Sequence, residues 1–377
     1  MDFEFSADQE MLRDSVRRFL ADKAPISYVR DMYGGNHQLE DSLGADNVWT
    51  GLRDLGVLGL LVPEEHGGAG MGMVDAAVVL EELGGALCPA PYASSAIGAA
   101  SLILAAGGPR QHEFLLPGLA DGSTVGTVAL YEEEARYEWR EPRCVASPGP
   151  NRTWLLEGVK VHVVDARAAG LFCVTAREPD GTLGVFAVQG RTTGVSVLET
   201  ETVDGSRKVG RLMLDGATGW RLDSGDAGDA VALTLDRLAV AYVVDGVGAA
   251  KRALDLAVEY AKERVQFDKP IVSFQAVQHL CADMLRALEL GRAAGYYACW
   301  AADEAEPGEA HRAAVMAKAF ASSAYAQLGG SAIQVFGGIG FTWEHDVHLY
   351  YKRLLSLSVA LGNASEHLAE LARIVID

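Results

Sequence analysis

The residues best suited to binding a charged ligand stand in the second half of the chain, in YAKERVQFDKPI at 260–271 and FQAVQH at 274–279. Pro270 breaks a helical pattern and Gln275 opens the next one, which places Arg264 in the last turn before the break. A guanidinium there could fork onto a pyrophosphate, and Gln275 at a helix start could meet a ribose or an adenine. The alternative is a cationic helix end beside a buried aromatic plug.

A second stretch, QVFGGIGF at 334–341, is rich in glycine and follows an Ala-rich helical pattern. Glycines let backbone amides approach an anion closely, but a Rossmann loop follows a strand, so this stretch is not a Rossmann fingerprint. Gly337 and Gly338 could also be the C-cap of a helix. The stretch indicates a binding site only in combination with the first one.

Other combinations of residues in the sequence give little support for a metal site, a serine hydrolase or a P-loop protein. His345 and His348 are three positions apart, but no further ligand set with zinc spacing accompanies them, so we expect a polar helix start and no metal site. The chain has neither a GxSxG elbow nor a Walker loop, which leaves serine hydrolases and P-loop proteins without support.

The first region of the chain has the residue pattern of α-helices. Ser6 and Gln9 have the spacing of a capping box, and apolar residues then recur on one helical face. Further amphipathic segments at 48–58 and 74–83 flank a Gly-rich turn at 63–70. We expect an N-terminal α-helical domain over residues 1–119.

The period of the hydrophobic pattern changes from helical to strand-like in the middle of the chain and becomes helical again after it. Val159, Val161 and Val163 alternate with polar residues, and short apolar runs separated by Asp-Gly turns predict an antiparallel β-domain over residues 120–226. From 227 to 377, long Ala-rich and Leu-rich segments predict a helical bundle. The fold class is therefore α+β, with helices before and after a sheet.

Composition restricts the class of protein. The length of 377 residues suggests two or three domains, and the net charge of -19 would repel a nucleic acid backbone. The five cysteines are scattered and form no CxxC pair, as expected of reduced thiols. The acidic N-terminus lacks a signal-peptide pattern and no apolar run reaches the ~20 residues of a membrane span, so we expect a cytoplasmic protein.

Together, these segments resemble the acyl-CoA dehydrogenase family. The resemblance rests on RVQF-x-KP at 264–270, FQAVQH at 274–279 and QVFGGIGF at 334–341, with VPEEHGGAGMG at 62–72 and FSADQEMLRD at 5–14 in the first domain. It covers nearly the whole chain. It implies an N-terminal helical domain, a central β-domain and a C-terminal four-helix bundle, with FAD bound at a subunit interface.

The resemblance also implies which residues hold the cofactor. The ADP half of a flavin seated mainly in the neighbouring subunit would contact Arg264, Gln266, Phe267, Gln275, Gln334, Gly337 and Gly338. The family usually has Gly where this chain has Asp268, so we expect an adjusted turn there.

The catalytic base is less clear. In this family a carboxylate removes the α-proton of an acyl thioester while a hydride leaves to the flavin, so the base is buried enough to raise its pKa. Its commonest position is occupied here by Leu361. Some relatives carry the base on the first helix of the bundle, where this chain has Asp236 and Asp245. We favour Asp245, because Gly246 and Gly248 beside it would leave room for a ligand.

Both carboxylates have a simpler interpretation. Asp245 could be a polar spot satisfied by a neighbouring Arg or by water, and Asp236 could be a helix N-terminal acid that suits the helix dipole. The β-domain departs from the family as well: ALYEEEA at 129–135 replaces a Thr-Glu-Pro segment, and His162 stands where Trp is expected. These departures put this subunit's own flavin-ring pocket in question.

Two functions are therefore expected. The first is a catalytic, FAD-dependent acyl-CoA dehydrogenase in which Asp245 is the base. A bulky or branched acyl group is one possibility for its acyl-CoA substrate. The second is a non-catalytic partner subunit of a heteromeric acyl-CoA dehydrogenase that completes the ADP half of the FAD site. Both imply a homo- or hetero-oligomer and an electron-transfer flavoprotein as electron acceptor. The thioester carrier, CoA or an acyl carrier protein, stays open.

Overall fold

The computed structural model describes residues 5–33, 48–133 and 137–376. Ser6 begins the first helix, and its side chain accepts from the backbone N–H of Gln9 while the Gln9 side chain accepts from the backbone N–H of Ser6. This is the predicted capping box, which satisfies two backbone donors that a helix start leaves free. The helices of the first half are α1 (Ala7–Lys23), α2 (Ile26–Tyr33), α3 (Val48–Asp54), α4 (Met73–Gly85), α5 (Ala100–Ala106) and α6 (Pro109–Ala120), with a π-helix at Ala93–Ala99 before α5.

The helices of the second half are longer. They are α7 (Gly228–Glu263), α8 (Gln275–Glu304), α9 (Pro307–Phe336), α10 (Val347–Val359) and α11 (Ala364–Ile376). The helix α7 ends at Glu263 rather than near Pro270, because residues 265–270 form a hairpin of two short strands, β8 (Val265–Gln266) and β9 (Lys269–Pro270). None of the helices in the described ranges is long and apolar enough to cross a membrane.

A seven-stranded sheet lies between the two helical parts of the sequence. Its strands are β1 (Gly126–Ala129), β2 (Val145–Pro148), β3 (Trp154–Val164), β4 (Leu171–Arg177), β5 (Leu183–Gln189), β6 (Val195–Thr200) and β7 (Val209–Arg221). Their order is β1-β4-β2-β3-β7-β5, with β6 on β7, and β5 also pairs with β4, so the sheet closes on itself. Most pairs are antiparallel as predicted, but β1 and β2 pair with β4 in parallel.

The chain forms two compact units, each built from separate stretches of sequence. The helical unit contains residues 1–30, 77–88 and 239–377, and the sheet unit contains 31–76 and 89–238. Inside the sheet unit, apolar residues of the strands fill the core, among them Leu156, Phe172, Phe186 and Leu212. The predicted order of helices, sheet and helices is confirmed, whereas the domain limits at 119 and 226 stay a prediction.

Candidate functional site

Asp245 lies in the buried middle of α7 and forms an ion pair with Arg353 on α10. Nη1 of Arg353 donates to Oδ1 and Oδ2 of Asp245 at 2.9 and 3.0 Å. Asp245 is 6% exposed and Arg353 1% exposed. A buried charge needs a partner of opposite sign and hydrogen bonds. The carboxylate is therefore already engaged by a guanidinium, which is the simpler of the two interpretations of this residue.

The glycines beside Asp245 serve helix packing instead of leaving room for a ligand. A Cβ on Gly248 would lie 1.9 Å from the backbone oxygen of Glu81 on α4, and one on Gly246 would lie 2.6 Å from the ring of Tyr325 on α9. On the facing helix, a Cβ on Gly84 would lie 2.0 Å from the backbone oxygen of Asp245. The expected free space is thus filled by the backbone of α4 and by an aromatic ring.

Asp236, the other candidate, lies earlier on α7 in the part that belongs to the sheet unit. It is half-buried and has an interaction partner. Its neighbour Arg237 donates from Nη1 to Oγ of Ser101 on α5 at 3.3 Å. Asp236 therefore stays an open candidate, with no geometry that singles it out as a base.

The turn at Leu361, where the resemblance expects a Glu, is held by a buried lysine. Leu361 and Gly362 both have left-handed φ values, 59° and 102°. Nζ of Lys318 on α9 donates to the backbone oxygens of Leu357 and Gly362 at 2.9 and 3.2 Å, and to Oγ of Ser322 at 2.8 Å. Burial lowers the pKa of Lys318 to about 7. A lone Lys on an Ala-rich helical pattern is the one feature of the sequence that points to this role.

Arg264 and the residues after it form an exposed edge of the helical unit. Arg264 directly follows α7, and in the described part of the chain its guanidinium has no ion-pair partner. Phe267 and Asp268 have left-handed φ values of 52° and 60° and form the turn between β8 and β9. Asp tolerates this conformation better than most residues, which explains how it stands where the family has Gly. Phe267 is 86% exposed.

The glycine-rich segment at 334–341 also has exposed residues, among them Gln334 and Gly338. Gly337 ends α9 with φ 66° and ψ -145°, a combination that essentially only glycine adopts. A Cβ on Gly337 or Gly338 would meet nothing within 4 Å, and Gln334 before them is exposed. The side chain of Gln334 and the backbone surface at Gly337 and Gly338 are accessible to a ligand, whereas the N–H of Gly337 already donates to the backbone oxygens of Ile333 and Gln334.

The structure brings the two predicted cofactor-binding segments together at one edge of the helical unit. The rings of Tyr260 on α7 and Phe336 on α9 stack with centroids 4.3 Å apart, next to Arg264 and Gly337 in sequence. Ile271 donates its N–H to the backbone oxygen of Arg264 at 2.8 Å, which ties the hairpin to the end of α7. Gln275, the first residue of α8, is exposed beyond this hairpin.

In the sheet unit, the segment at 129–133, which departs from the family pattern, is held by a buried ion pair. Oε1 of Glu132 accepts from Nζ of the buried Lys160 at 2.7 Å, and the same ammonium donates to Oγ1 of Thr175 at 3.1 Å. Burial alone would raise the pKa of Glu132, but Lys160 and the backbone N–H groups of Arg143 and Cys144 hold it below its ordinary value. Glu132 therefore anchors its own strand segment and is not free to meet a ligand.

Comparisons with known proteins identify the family of this chain. A family model described as the N-terminal domain of acyl-CoA dehydrogenases matches residues 6–123, and one described as their C-terminal domain matches residues 228–376. The acyl-CoA dehydrogenase IpdE2 of Mycobacterium tuberculosis is 31% identical over 365 residues, which cover 97% of this chain and 96% of that protein. The chain belongs to the acyl-CoA dehydrogenase family. The resemblance inferred from the motifs is confirmed.

Solved acyl-CoA dehydrogenases share the fold over their whole length. The Tcur3481-Tcur3483 steroid ACAD has a TM-score of 0.86 at 31% identity, with 98% of each chain covered. The ChsE4-ChsE5 complex of Mycobacterium tuberculosis has a TM-score of 0.88 at 26% identity, with 100% of this chain and 99% of that chain covered. Acyl-CoA dehydrogenases are flavoprotein oxidoreductases that act on acyl-CoA, and the prediction of FAD as cofactor is confirmed.

The exposed edge of this acyl-CoA dehydrogenase fits the ADP half of FAD chemically. A guanidinium that has no ion-pair partner among the described residues suits a pyrophosphate, and exposed Gln side chains suit a ribose or an adenine. The structure offers these groups at Arg264, Gln275 and Gln334, and Gly337 and Gly338 leave space for a ligand to approach the backbone. Gln266 is less available, because its side chain donates to the backbone oxygen of Val265 at 2.8 Å.

Proposed function

We propose that this chain is one subunit of a heteromeric acyl-CoA dehydrogenase and that it supplies the ADP half of the FAD site to a different subunit. The observation that carries the proposal is the exposed edge formed by Arg264 and the segment at 334–338, whose polar groups point away from this chain's own core. FAD, when bound, accepts the hydride. This chain's residues hold the diphosphate and the adenosine.

The engaged carboxylates support a non-catalytic role. Leu361 replaces the usual Glu, Asp245 is paired with Arg353, and Glu132 is paired with Lys160. A general base must have a free lone pair directed at the proton it removes. Relatives point the same way: the Tcur3481-Tcur3483 steroid ACAD and the ChsE4-ChsE5 complex are named as assemblies of two different chains.

The substrate of the assembly is an acyl-CoA with a bulky, ring-bearing acyl group. Support comes from the steroid ACAD, which is 31% identical to this chain. We propose an electron-transfer flavoprotein as the electron acceptor, because the family resemblance implies one.

The chain expressed alone should bind far less than one FAD per protomer. Its own segment at 129–133 is anchored inward, so the flavin ring would lack its usual surroundings on this subunit. Flavin absorbance per protomer, measured with the mass in solution, tests this, and co-expression with a neighbouring dehydrogenase subunit should restore flavin binding. A yellow, active homo-oligomer with one FAD per chain would refute the partner-subunit role.

A catalytic role of Asp245 is the second candidate, favoured by its burial on the first helix of the bundle. The variant Asp245→Asn distinguishes the catalytic role of Asp245 from a structural one. If Asp245 is a structural ion-pair partner, the variant loses stability, because Arg353 keeps its buried charge, but kcat per bound flavin in the assembled enzyme stays within about twofold. A loss of kcat of about a thousandfold or more with unchanged flavin content would instead identify Asp245 as the base.

A further inference from the structure

Three aromatic side chains of the helical unit pack against one another beside the exposed edge. Tyr260 and Phe336 stack with centroids 4.3 Å apart and an interplanar angle of 16°. His345 lies against both rings, 5.8 Å from Tyr260 and 5.2 Å from Phe336. We call Tyr260, Phe336 and His345 the aromatic cluster.

One ring of the aromatic cluster is connected directly to Arg264. Tyr260 lies in the last turn of α7, and its backbone oxygen accepts from the N–H of Arg264 at 2.9 Å. The oxygen of Arg264 in turn accepts from the N–H of Ile271, which closes the hairpin of β8 and β9. A change in the position of Tyr260 therefore moves the guanidinium and the hairpin with it.

The second ring is connected to the glycine-rich segment. Phe336 is the last residue of α9 and precedes Gly337, whose left-handed φ turns the chain away from the helix. A Cβ on Gly340 would lie 2.9 Å from Cβ of Phe336, so the segment folds closely back over this ring. His345 follows in the turn before α10, where its N–H donates to the oxygen of Thr342 at 3.4 Å.

We propose that the aromatic cluster is a positioning element that fixes Arg264 and the segment at 337–338 at the spacing which the ADP half of FAD requires. The inference rests on the proposed role of these segments in FAD binding. Both segments are otherwise exposed: among the described residues no ion pair holds Arg264, and nothing lies within 4 Å of a Cβ placed on Gly338. Preorganisation of such groups reduces the entropy lost on binding, so it improves affinity without adding a contact to the ligand.

The expected size of the effect follows from the strength of aromatic pairs. An aromatic pair contributes roughly 0.5–1.5 kcal/mol beyond the area it buries. If this preference is what holds the two segments in register, its loss raises the Kd for FAD by about two- to tenfold. The aromatic cluster does not touch the cofactor in this proposal, so its residues act through Arg264 and the glycines.

Tyr260→Leu tests the proposal in the assembled protein stripped of FAD, with Kd measured by flavin fluorescence on adding FAD back. We expect a two- to tenfold higher Kd for Tyr260→Leu and a wild-type Kd for Tyr260→Phe, which keeps the ring. Tyr297→Leu is the matched control, because Tyr297 pairs with Trp300 on the same helix α8 and joins no cofactor-binding segment. Its Kd should not change.

The outcomes separate the aromatic cluster from the FAD site itself. If Tyr260→Leu and Tyr260→Phe both bind FAD like the wild type while Arg264→Ala binds it at least tenfold more weakly, the positioning role is refuted and the proposed site stands. If Arg264→Ala also leaves Kd unchanged, the proposed FAD site fails. Should Tyr260→Leu not fold, Phe336→Leu breaks the same stack from the side of α9, and a wild-type Kd in that variant overturns the proposal.

Discussion

Replacing Arg353 by Leu is expected to lower the free energy of unfolding by about 3–5 kcal/mol. The guanidinium is almost completely buried and gives Asp245 two hydrogen bonds of 2.9 and 3.0 Å. Without it, the carboxylate is left in an apolar helix interface, and an unpaired buried charge is far more costly than the pair is favourable. Denaturant unfolding followed by circular dichroism measures the loss.

A double variant distinguishes the lost charge partner from lost packing. Asp245→Val combined with Arg353→Met removes both charges and keeps much of the apolar volume, and exchanges of this kind are often neutral or stabilising. We expect the double variant to recover most of the stability lost in Arg353→Leu. If Arg353→Leu stays within about 1 kcal/mol of the wild type, the pair is not the structural element described above.

The local elements of this fold could be predicted because their signals are local. Ser6 and Gln9 are three residues apart, and their reciprocal capping is present as predicted. The long helices follow from the Ala-rich and Leu-rich segments, and α8 begins at Gln275, where a helix start was predicted. The hairpin after α7 was not predicted, because its turn at Phe267 and Asp268 depends on two left-handed residues, which a sequence seldom indicates.

The surroundings of Asp245 could not be predicted because they depend on distant parts of the chain. Arg353 is 108 positions away, and the backbone that fills the space at Gly248 belongs to Glu81 on another helix. A glycine beside an acid is compatible with a ligand pocket and with a close helix crossing, and only the tertiary structure distinguishes them. The same holds for Lys318, since a Lys in a helix is usually exposed.

Lys318→Met is expected to change how the stability of the protein depends on pH. Lys318 is 1% exposed, and burial lowers its pKa from the ordinary 10.5 to about 7, an effect that the nearby Glu366 only partly offsets. His367 also faces this group, and burial and Lys318 lower its pKa to about 4. Around neutral pH and above, Lys318 is therefore the group of this cluster that titrates in the folded protein.

The direction of this pH dependence follows from the number of protons bound in the folded and in the unfolded state. Between pH 7 and 10.5 the unfolded chain keeps the proton on Lys318 and the folded protein loses it, so stability rises with pH in this window. The contribution is complete above the ordinary pKa and is lost as the pH falls to about 7. The slope reaches at most about 1.4 kcal/mol per pH unit for one group.

Denaturant unfolding at several values between about pH 7 and about pH 9 measures this slope. Met cannot donate to the oxygens of Leu357 and Gly362, so Lys318→Met should be less stable than the wild type at the alkaline end of this range, and its slope should be lower than that of the wild type by about 1 kcal/mol per pH unit. Lys262→Met, which removes an exposed lysine, should keep the wild-type slope. Parallel pH curves for Lys318→Met and the wild type would mean that Lys318 stays protonated in the folded protein throughout this range. The turn at Leu361 would then be held by a buried ammonium with full charge.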